Sequence, residues 1–81
     1  IKIMLALLRH GPLNIVGLLE LSGVSHGGYM RPLHILSAMG LVRVRRRRGM
    51  KIVELTPLGR RVAEKLMEAE EMLRRELGVN A

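Results

Sequence analysis

The sequence predicts a mainly α domain with one small β-hairpin, an α+β fold in which three helical segments precede the hairpin and one long helix follows it. Residues 40–56 contain two short runs with apolar side chains at every second position, the period of a half-buried strand, and a basic tip joins the two runs. Before this stretch, apolar side chains recur at helical spacing in three short segments separated by glycine-containing turns. After it, a helical apolar stripe continues to Leu77.

Length and composition allow one domain with a small core. The 81 residues include one tyrosine and no phenylalanine or tryptophan, so aliphatic side chains must supply almost the whole core. Such a core is marginal alone, which favours dimerisation. The chain begins at Ile1 rather than methionine, which leaves open both a fragment of a longer protein and a chain without its start.

Positive charge is concentrated in one stretch. The chain carries 14 basic and 7 acidic residues, a net charge of +7, and residues 43–51 hold six basic residues and no acidic one. This distribution is expected of a surface that contacts a polyanion. A solvated charged loop is the alternative.

Several classes of site are not expected. The chain has no cysteine, hence no disulfide and no thiolate zinc site. No apolar run approaches a membrane span, and residues 1–8 are too short and poorly flanked for a signal peptide. We therefore expect a cytoplasmic protein. The absence of Cys, Asp and Gln, together with arginine-rich charge, favours a thermophilic source.

The first segment predicts a helix that is covered on more than one side. Residues 1–10 are apolar except for Lys2, Arg9 and the terminal histidine. Gly11-Pro12 ends the helix.

The second segment predicts a short helix at residues 15–21. Leu13 is expected to be extended, and Asn14 is a favourable N-cap. Leu18 and Leu21 are expected to face the core. The remaining apolar residues leave open either a broader core or a partner surface: Ile15, Val16 and Leu19.

The third segment spans residues 26–39, with Ser25 as its cap and Gly40 at its end. Four residues at three-residue steps are expected to be buried: Met30, Leu33, Leu36 and Met39. Two glycines weaken its first turn by about 1 kcal/mol each relative to alanine. Pro32 is expected to remove one backbone hydrogen bond and to crowd the carbonyl of Gly28. We expect either a kink between residues 28 and 32 or a helix that begins near Arg31.

The basic stretch itself predicts the hairpin. Two valines share one face of its first strand, and Arg43 and Arg45 share the other. The predicted turn consists of Arg46, Arg47, Arg48 and Gly49. Residues 51–55 return, with Val53 and Leu55 on one face.

The last helix is predicted at residues 57–77, because Thr56-Pro57 combines a capping hydroxyl with proline at the first helical position. Its apolar stripe consists of Val62, Leu66, Ala69, Leu73 and Leu77. The first half of this stripe is expected to pack on the core and the second half to form a coiled-coil seam. The expected dimer interface consists of Leu66, Ala69, Leu73 and Leu77.

Neither an enzyme nor a metal or cofactor site is expected. The chain has no cysteine or aspartate, and its glutamates mostly line the last helix. His26 and His34 are eight residues apart, about 12 Å along a helix, which is too far for one ion. His10 lies in the first predicted helix and is not expected to join the other two histidines in one site.

The order of the elements resembles a winged helix-turn-helix domain. Locally, GVS before the third helix, L-x-x-L inside it, GLV at its end and LTPLGRR after the second strand are similar to MarR-like and PadR-like regulators. The family's core positions correspond here to Val24, Leu33, Leu36, Leu41, Leu55 and Gly59. The chain also resembles small archaeal winged-helix DNA-binding dimers that pair through a long C-terminal helix. The resemblance runs from about residue 3 to residue 73.

This resemblance implies a DNA-binding domain at residues 1–58, with residues 59–81 as a C-terminal helix of the same domain that serves dimerisation. The helix at residues 25–38 would enter the major groove, and the wing at residues 45–49 would reach the backbone or minor groove. The expected contacts with double-stranded DNA are Ser25, His26, Gly27, Gly28, Tyr29, Arg31, His34, Arg43, Arg45, Arg46, Arg47, Arg48 and Lys51.

Specificity for sequence is expected to be modest. Glycine offers only backbone N–H groups to DNA, so Gly27 and Gly28 suit phosphate rather than base edges. Arg31 is the best candidate for a guanine contact, because its guanidinium matches O6 and N7. The expected function is a transcriptional regulator or a nucleoid-associated protein. The alternative is a winged-helix module that binds protein or RNA.

Overall fold

The computed structural model describes residues 1–78 apart from the side chain of His26, so the last three residues of the predicted 59–81 unit lie outside the described residues. In chain order, the elements are α1 (Lys2–His10), β1 (Leu13–Asn14), α2 (Ile15–Ser22), a 3₁₀ turn (His26–Gly28), α3 (Met30–Ala38), β2 (Val42–Arg47), β3 (Met50–Leu55) and α4 (Pro57–Leu77). The α+β class is confirmed. The extended residue at Leu13 belongs to β1, which pairs with β3 and makes an antiparallel sheet of order β1-β3-β2.

Helix α1 lies at the centre of the domain and contacts α2, α4 and β3. Its buried residues are Ile3, Met4, Leu5, Ala6 and Leu7. The prediction that this helix is covered on more than one side is confirmed. Met4 packs with Leu41 and Ala63, whereas Leu7 packs with Leu18 and Val53, so α1 joins two parts of one core.

Helix α2 begins as predicted, since the Asn14 side chain accepts a hydrogen bond from the Gly17 N–H at 2.8 Å. Leu18 is fully buried, but Leu21 is 50% exposed, so its predicted burial is wrong. At 100° per residue, Leu19 and Leu21 lie on opposite sides of Leu18 around the axis of α2. The buried side of the helix includes Leu18 and Leu19 and ends before it reaches Leu21. Of the two alternatives, a broader core or a partner surface, the broader core is therefore correct for Leu19, which is buried.

Helix α3 begins at Met30, close to the predicted start near Arg31. Its first backbone hydrogen bond runs from the Leu33 N–H to the Tyr29 carbonyl at 3.0 Å. Pro32 therefore lies in the first turn, where backbone N–H groups have no partner within a helix. The predicted loss of a hydrogen bond at Pro32 is wrong.

The predicted burial along α3 is only half right. Leu33 is buried and Leu36 is partly buried against the core. Met30 and Met39 are 64% and 61% exposed, and their predicted burial is wrong. The helix is nine residues long, and both methionines lie at its ends, beyond the part that meets the core.

The start of α4 is fixed to the segment between α3 and β2. Thr56 accepts a hydrogen bond from the Gly59 N–H at 3.0 Å and donates one to the Gly40 carbonyl. The Thr56 N–H also donates to the Leu41 carbonyl at 3.1 Å. Gly59 is buried against the Leu41 backbone. The predicted helix from Pro57 to Leu77 is confirmed, and Gly78 ends it in the left-handed conformation. Within residues 1–78, no helix is both long and apolar enough to span a bilayer.

Candidate nucleic-acid interface

The β2–β3 hairpin, called the wing below, has a two-residue turn. Arg48 and Gly49 have φ of 51° and 77°, the left-handed pair that matches the twist of a tight hairpin. Pairing therefore continues to Arg47 opposite Met50. The predicted four-residue turn at residues 46–49 is wrong, because Arg46 and Arg47 belong to β2.

The register divides the basic side chains between two faces of the sheet. The inner face, which packs on the helices, carries the pairs Val42–Leu55, Val44–Val53 and Arg46–Lys51. The outer face carries the pairs Arg43–Glu54, Arg45–Ile52 and Arg47–Met50. Arg48 lies at the tip. The six basic residues of the wing therefore do not form one continuous surface.

Glu54 is a functional candidate that the alternation of the sequence does not indicate. Its carboxylate accepts from Arg43, with Nη2–Oε2 at 2.6 Å and Nε–Oε2 at 3.1 Å, and lies 2.8 Å from Nη2 of Arg45 through Oε1. The hydrogen bond from Arg43 and the charge of Arg45 together hold the pKa of Glu54 below its usual value, although burial opposes them. The missing signal was the register, since a two-residue turn at Arg48-Gly49 places Glu54 directly opposite Arg43.

All six basic residues of the wing are exposed, and four of them are not engaged by Glu54: Arg46, Arg47, Arg48 and Lys51. Within the part of the chain that the structure describes, none of these four forms a salt bridge. Arginine and lysine side chains in this state are available to phosphate oxygens.

A shallow groove separates α3 from the wing, and Lys51 forms part of its wall. Its lining residues are Ile15, Tyr29, Met30, Leu33, His34, Val44 and Lys51. Arg31 and His34 are both exposed on α3. Tyr29 is partly buried and packs against the core, so its ring supports α3 as well as lining the groove. Of the predicted contact residues, the structure thus brings Tyr29, His34 and Lys51 to the same groove, whereas Arg31 is exposed on α3 but does not line it.

The segment before α3 is a backbone turn rather than a side-chain surface. The Gly28 N–H donates to the Ser25 carbonyl at 3.1 Å, and the Ser25 side chain makes no capping hydrogen bond to the described residues. An added Cβ at Gly27 would meet no atom within 4 Å, so the backbone there is open to approach. The His26 side chain lies outside the described residues.

The predicted dimer seam is exposed where it leaves the core. Leu66 is partly buried against Met4, Leu41 and Ala63. Further along α4, Ala69 is exposed, and Leu73 and Leu77 are 56% and 67% exposed. Glu70 lies 3.4 Å from Arg9 and 3.2 Å from Arg74, which ties the middle of α4 to the end of α1.

Among the described side chains of residues 1–78, which do not include that of His26, no group of three or more His, Cys, Asp or Glu is placed to hold a metal ion.

Solved structures resemble this chain, whereas no protein-family model and no curated protein matches it. BpsR of Bordetella bronchiseptica, whose DNA binding is regulated by 6-hydroxynicotinic acid, has a TM-score of 0.84 at 23% identity, over 98% of this chain and 60% of BpsR. A MarR family transcriptional regulator of Silicibacter pomeroyi has a TM-score of 0.79 at 25% identity, over 94% of this chain and 55% of the regulator. Sso10a-2, a DNA-binding protein of Sulfolobus solfataricus, has a TM-score of 0.67 at 22% identity, over 95% of this chain and 86% of Sso10a-2.

The chain spans less than two thirds of the length of the first two proteins and most of Sso10a-2. These likenesses extend over nearly the whole chain and include all four helices and the wing. The chain therefore has a winged helix-turn-helix fold similar to that of MarR family regulators, as its sequence resemblance implied.

Proposed function

We propose that this chain is a DNA-binding regulator that binds duplex DNA through α3 and the wing. The observation that carries the proposal is the set of exposed, unpaired cations on the wing beside α3, namely Arg46, Arg47, Arg48 and Lys51. The fold is shared with proteins that bind DNA, which supports the same use of these elements. Transcriptional regulation and a nucleoid-associated role both fit this mode of binding.

The two elements would have different roles in the complex. The wing cations would contact phosphates, which give affinity without sequence information. Arg31 and His34 are the side chains of α3 that would face base edges, with Arg31 suited to guanine. Because the turn before α3 supplies backbone rather than long side chains, we expect affinity to exceed specificity.

A salt series on a fluorescent duplex tests the role of the wing. Each phosphate contact contributes about 0.9 to the slope of log affinity against log salt. Arg46→Ala/Arg48→Ala should therefore flatten the slope by about 1.8. Lys65→Ala/Arg75→Ala on α4 removes the same charge away from the wing and is the matched control. Equal slopes for the two double variants would refute a wing contact.

We also propose that two copies pair through the second half of α4. This helix has 21 residues and is about 31 Å long, and its exposed Leu73 and Leu77 follow the part that packs on the core. A second copy would cover these residues as a coiled-coil seam. Two-fold pairing would also place two α3 helices about one DNA turn, ~34 Å, apart.

Sedimentation tests the seam. Leu73→Glu should give a monomer, because a charge at the seam would lose its water on pairing. Leu58→Glu is the control, since Leu58 is 45% exposed in the first turn of the same helix and lies outside the seam. A monomeric wild-type chain, or equal dissociation of both variants, would contradict pairing through this face.

A further inference from the structure

Glu54 engages two of the six basic side chains of the wing at once. It lies directly opposite Arg43 and diagonally opposite Arg45, the two positions from which cross-strand side chains reach each other. One carboxylate oxygen accepts from Nε and Nη2 of Arg43, and the other lies 2.8 Å from Nη2 of Arg45. The Glu54 side chain is 12% exposed, against 57% and 55% for the two arginines. The arginines thus cover the carboxylate.

This arrangement uses the donors that a phosphate would need. The Nε and Nη2 edge of Arg43 is one of the edges that makes two parallel hydrogen bonds with an oxyanion, and Glu54 already occupies it. The other oxygen of the same carboxylate lies 2.8 Å from Nη2 of Arg45, so this donor is engaged as well. DNA seated against α3 would therefore have to displace Glu54 to gain these two contacts.

We propose that Glu54 limits the phosphate contacts of the wing by holding Arg43 and Arg45 away from DNA. The inference rests on the proposed function and assigns Glu54 as a positioning residue of the DNA interface. Under it, the wing contacts DNA through Arg46, Arg47, Arg48 and Lys51 alone. The carboxylate of a glutamate is ionised at neutral pH, and the Arg43 hydrogen bond and the Arg45 charge, which lower the pKa of Glu54, keep it ionised into more acidic solution.

The test is the salt dependence of binding by Glu54→Gln, measured on the same random duplex as the wild-type chain. Glutamine keeps the shape of the side chain and removes its charge, so its hold on both arginines is weakened and a phosphate can compete for them. The slope of log affinity against log salt should steepen by about 0.9 for each released arginine, up to about 1.8. Glu76→Gln on α4 adds the same charge far from the wing and should change the slope much less. A Glu54→Gln slope equal to that of Glu76→Gln, or shallower than wild type, would overturn the inference.

A second variant keeps the inference testable if Glu54→Gln fails to fold. Arg43→Ala/Arg45→Ala removes two charges, as Arg46→Ala/Arg48→Ala does, but should flatten the slope by less than that variant. Equal flattening by the two double variants would show that all four arginines contact DNA and would overturn the inference. The proposed function fails separately, if neither double variant changes the slope.

Discussion

Substitution of Gly59 by alanine should destabilise the domain more than any other glycine-to-alanine change in its described helices. A Cβ at this position would lie 1.8 Å from the Leu41 carbonyl oxygen and 2.8 Å from its carbonyl carbon. Both atoms belong to the backbone, and the oxygen also accepts the Thr56 N–H at 3.1 Å. Relief of the overlap must therefore separate α4 from the segment that leads into β2.

Overpacking of this kind costs about 1–3 kcal/mol, and rigid backbone neighbours place Gly59→Ala near the upper end. Alanine returns about 1 kcal/mol through its better helix propensity. The net loss is then about 2 kcal/mol, which for a domain of this size lowers Tm by roughly 8–16 °C.

Thermal unfolding followed by circular dichroism, at one protein concentration for all variants, measures this change. Gly27→Ala is the matched control, because no atom lies within 4 Å of its added Cβ and its φ is not in the left-handed region. Gly27→Ala should stay within about 0.5 kcal/mol of wild type. If both variants melt within a few degrees of each other, the close approach of α4 to Leu41 is not a constraint on the fold.

Three further outcomes are expected. Thr56→Ala should cost about 1 kcal/mol as a lost N-cap, and Thr56→Ser should recover most of it in urea unfolding. Leu18→Ala should cost about 2–5 kcal/mol, whereas Leu21→Ala should cost less than about 1 kcal/mol, because the first is fully buried and the second is half exposed. In an NMR titration, the Glu54 carboxyl should have a pKa below its ordinary value, and Arg43→Ala should raise it. Because the folded pKa is lowered, this carboxylate stabilises the fold above the unfolded pKa of about 4.3, and the contribution is lost as pH falls through the folded pKa.

The starts of α2 and α4 and the end of α4 could be predicted because they depend on local chemistry. Asn14 and Thr56 satisfy free backbone N–H groups at the starts of α2 and α4 whatever surrounds them. Gly78 takes the left-handed conformation that ends α4. The basic alternation in residues 40–56 was sufficient to predict the hairpin.

The errors in burial came from geometry beyond a single element. The expected burial of Met30 and Met39 assumed one continuous helix, but a 3₁₀ turn precedes α3 and only the middle of α3 meets the core. Leu21 was misplaced because apolar spacing in two helical turns does not specify which edge of the stripe is covered.

The role of Glu54 depended on register, which sequence alternation alone does not determine. A turn of four residues and a turn of two residues both preserve the alternation of the two strands. Only the turn at Arg48-Gly49, where a non-glycine residue adopts positive φ, brings Glu54 opposite Arg43. The expected DNA contacts and the dimer seam remain predictions, to be tested by the variants above.

Strand β2 is the longer of the two edge strands of the sheet, because β3 lies between it and the two-residue β1. An open edge carries unpaired N–H and C=O groups on which strands of other molecules can assemble. Arginines occupy four of the six positions of β2, so two such edges repel each other along most of their length. The same positive charge that would bind DNA is therefore also expected to oppose edge-to-edge assembly of the free protein. When arginines of β2 are replaced by alanine, part of this protection is removed, and such variants need a check of monodispersity before their affinities are compared.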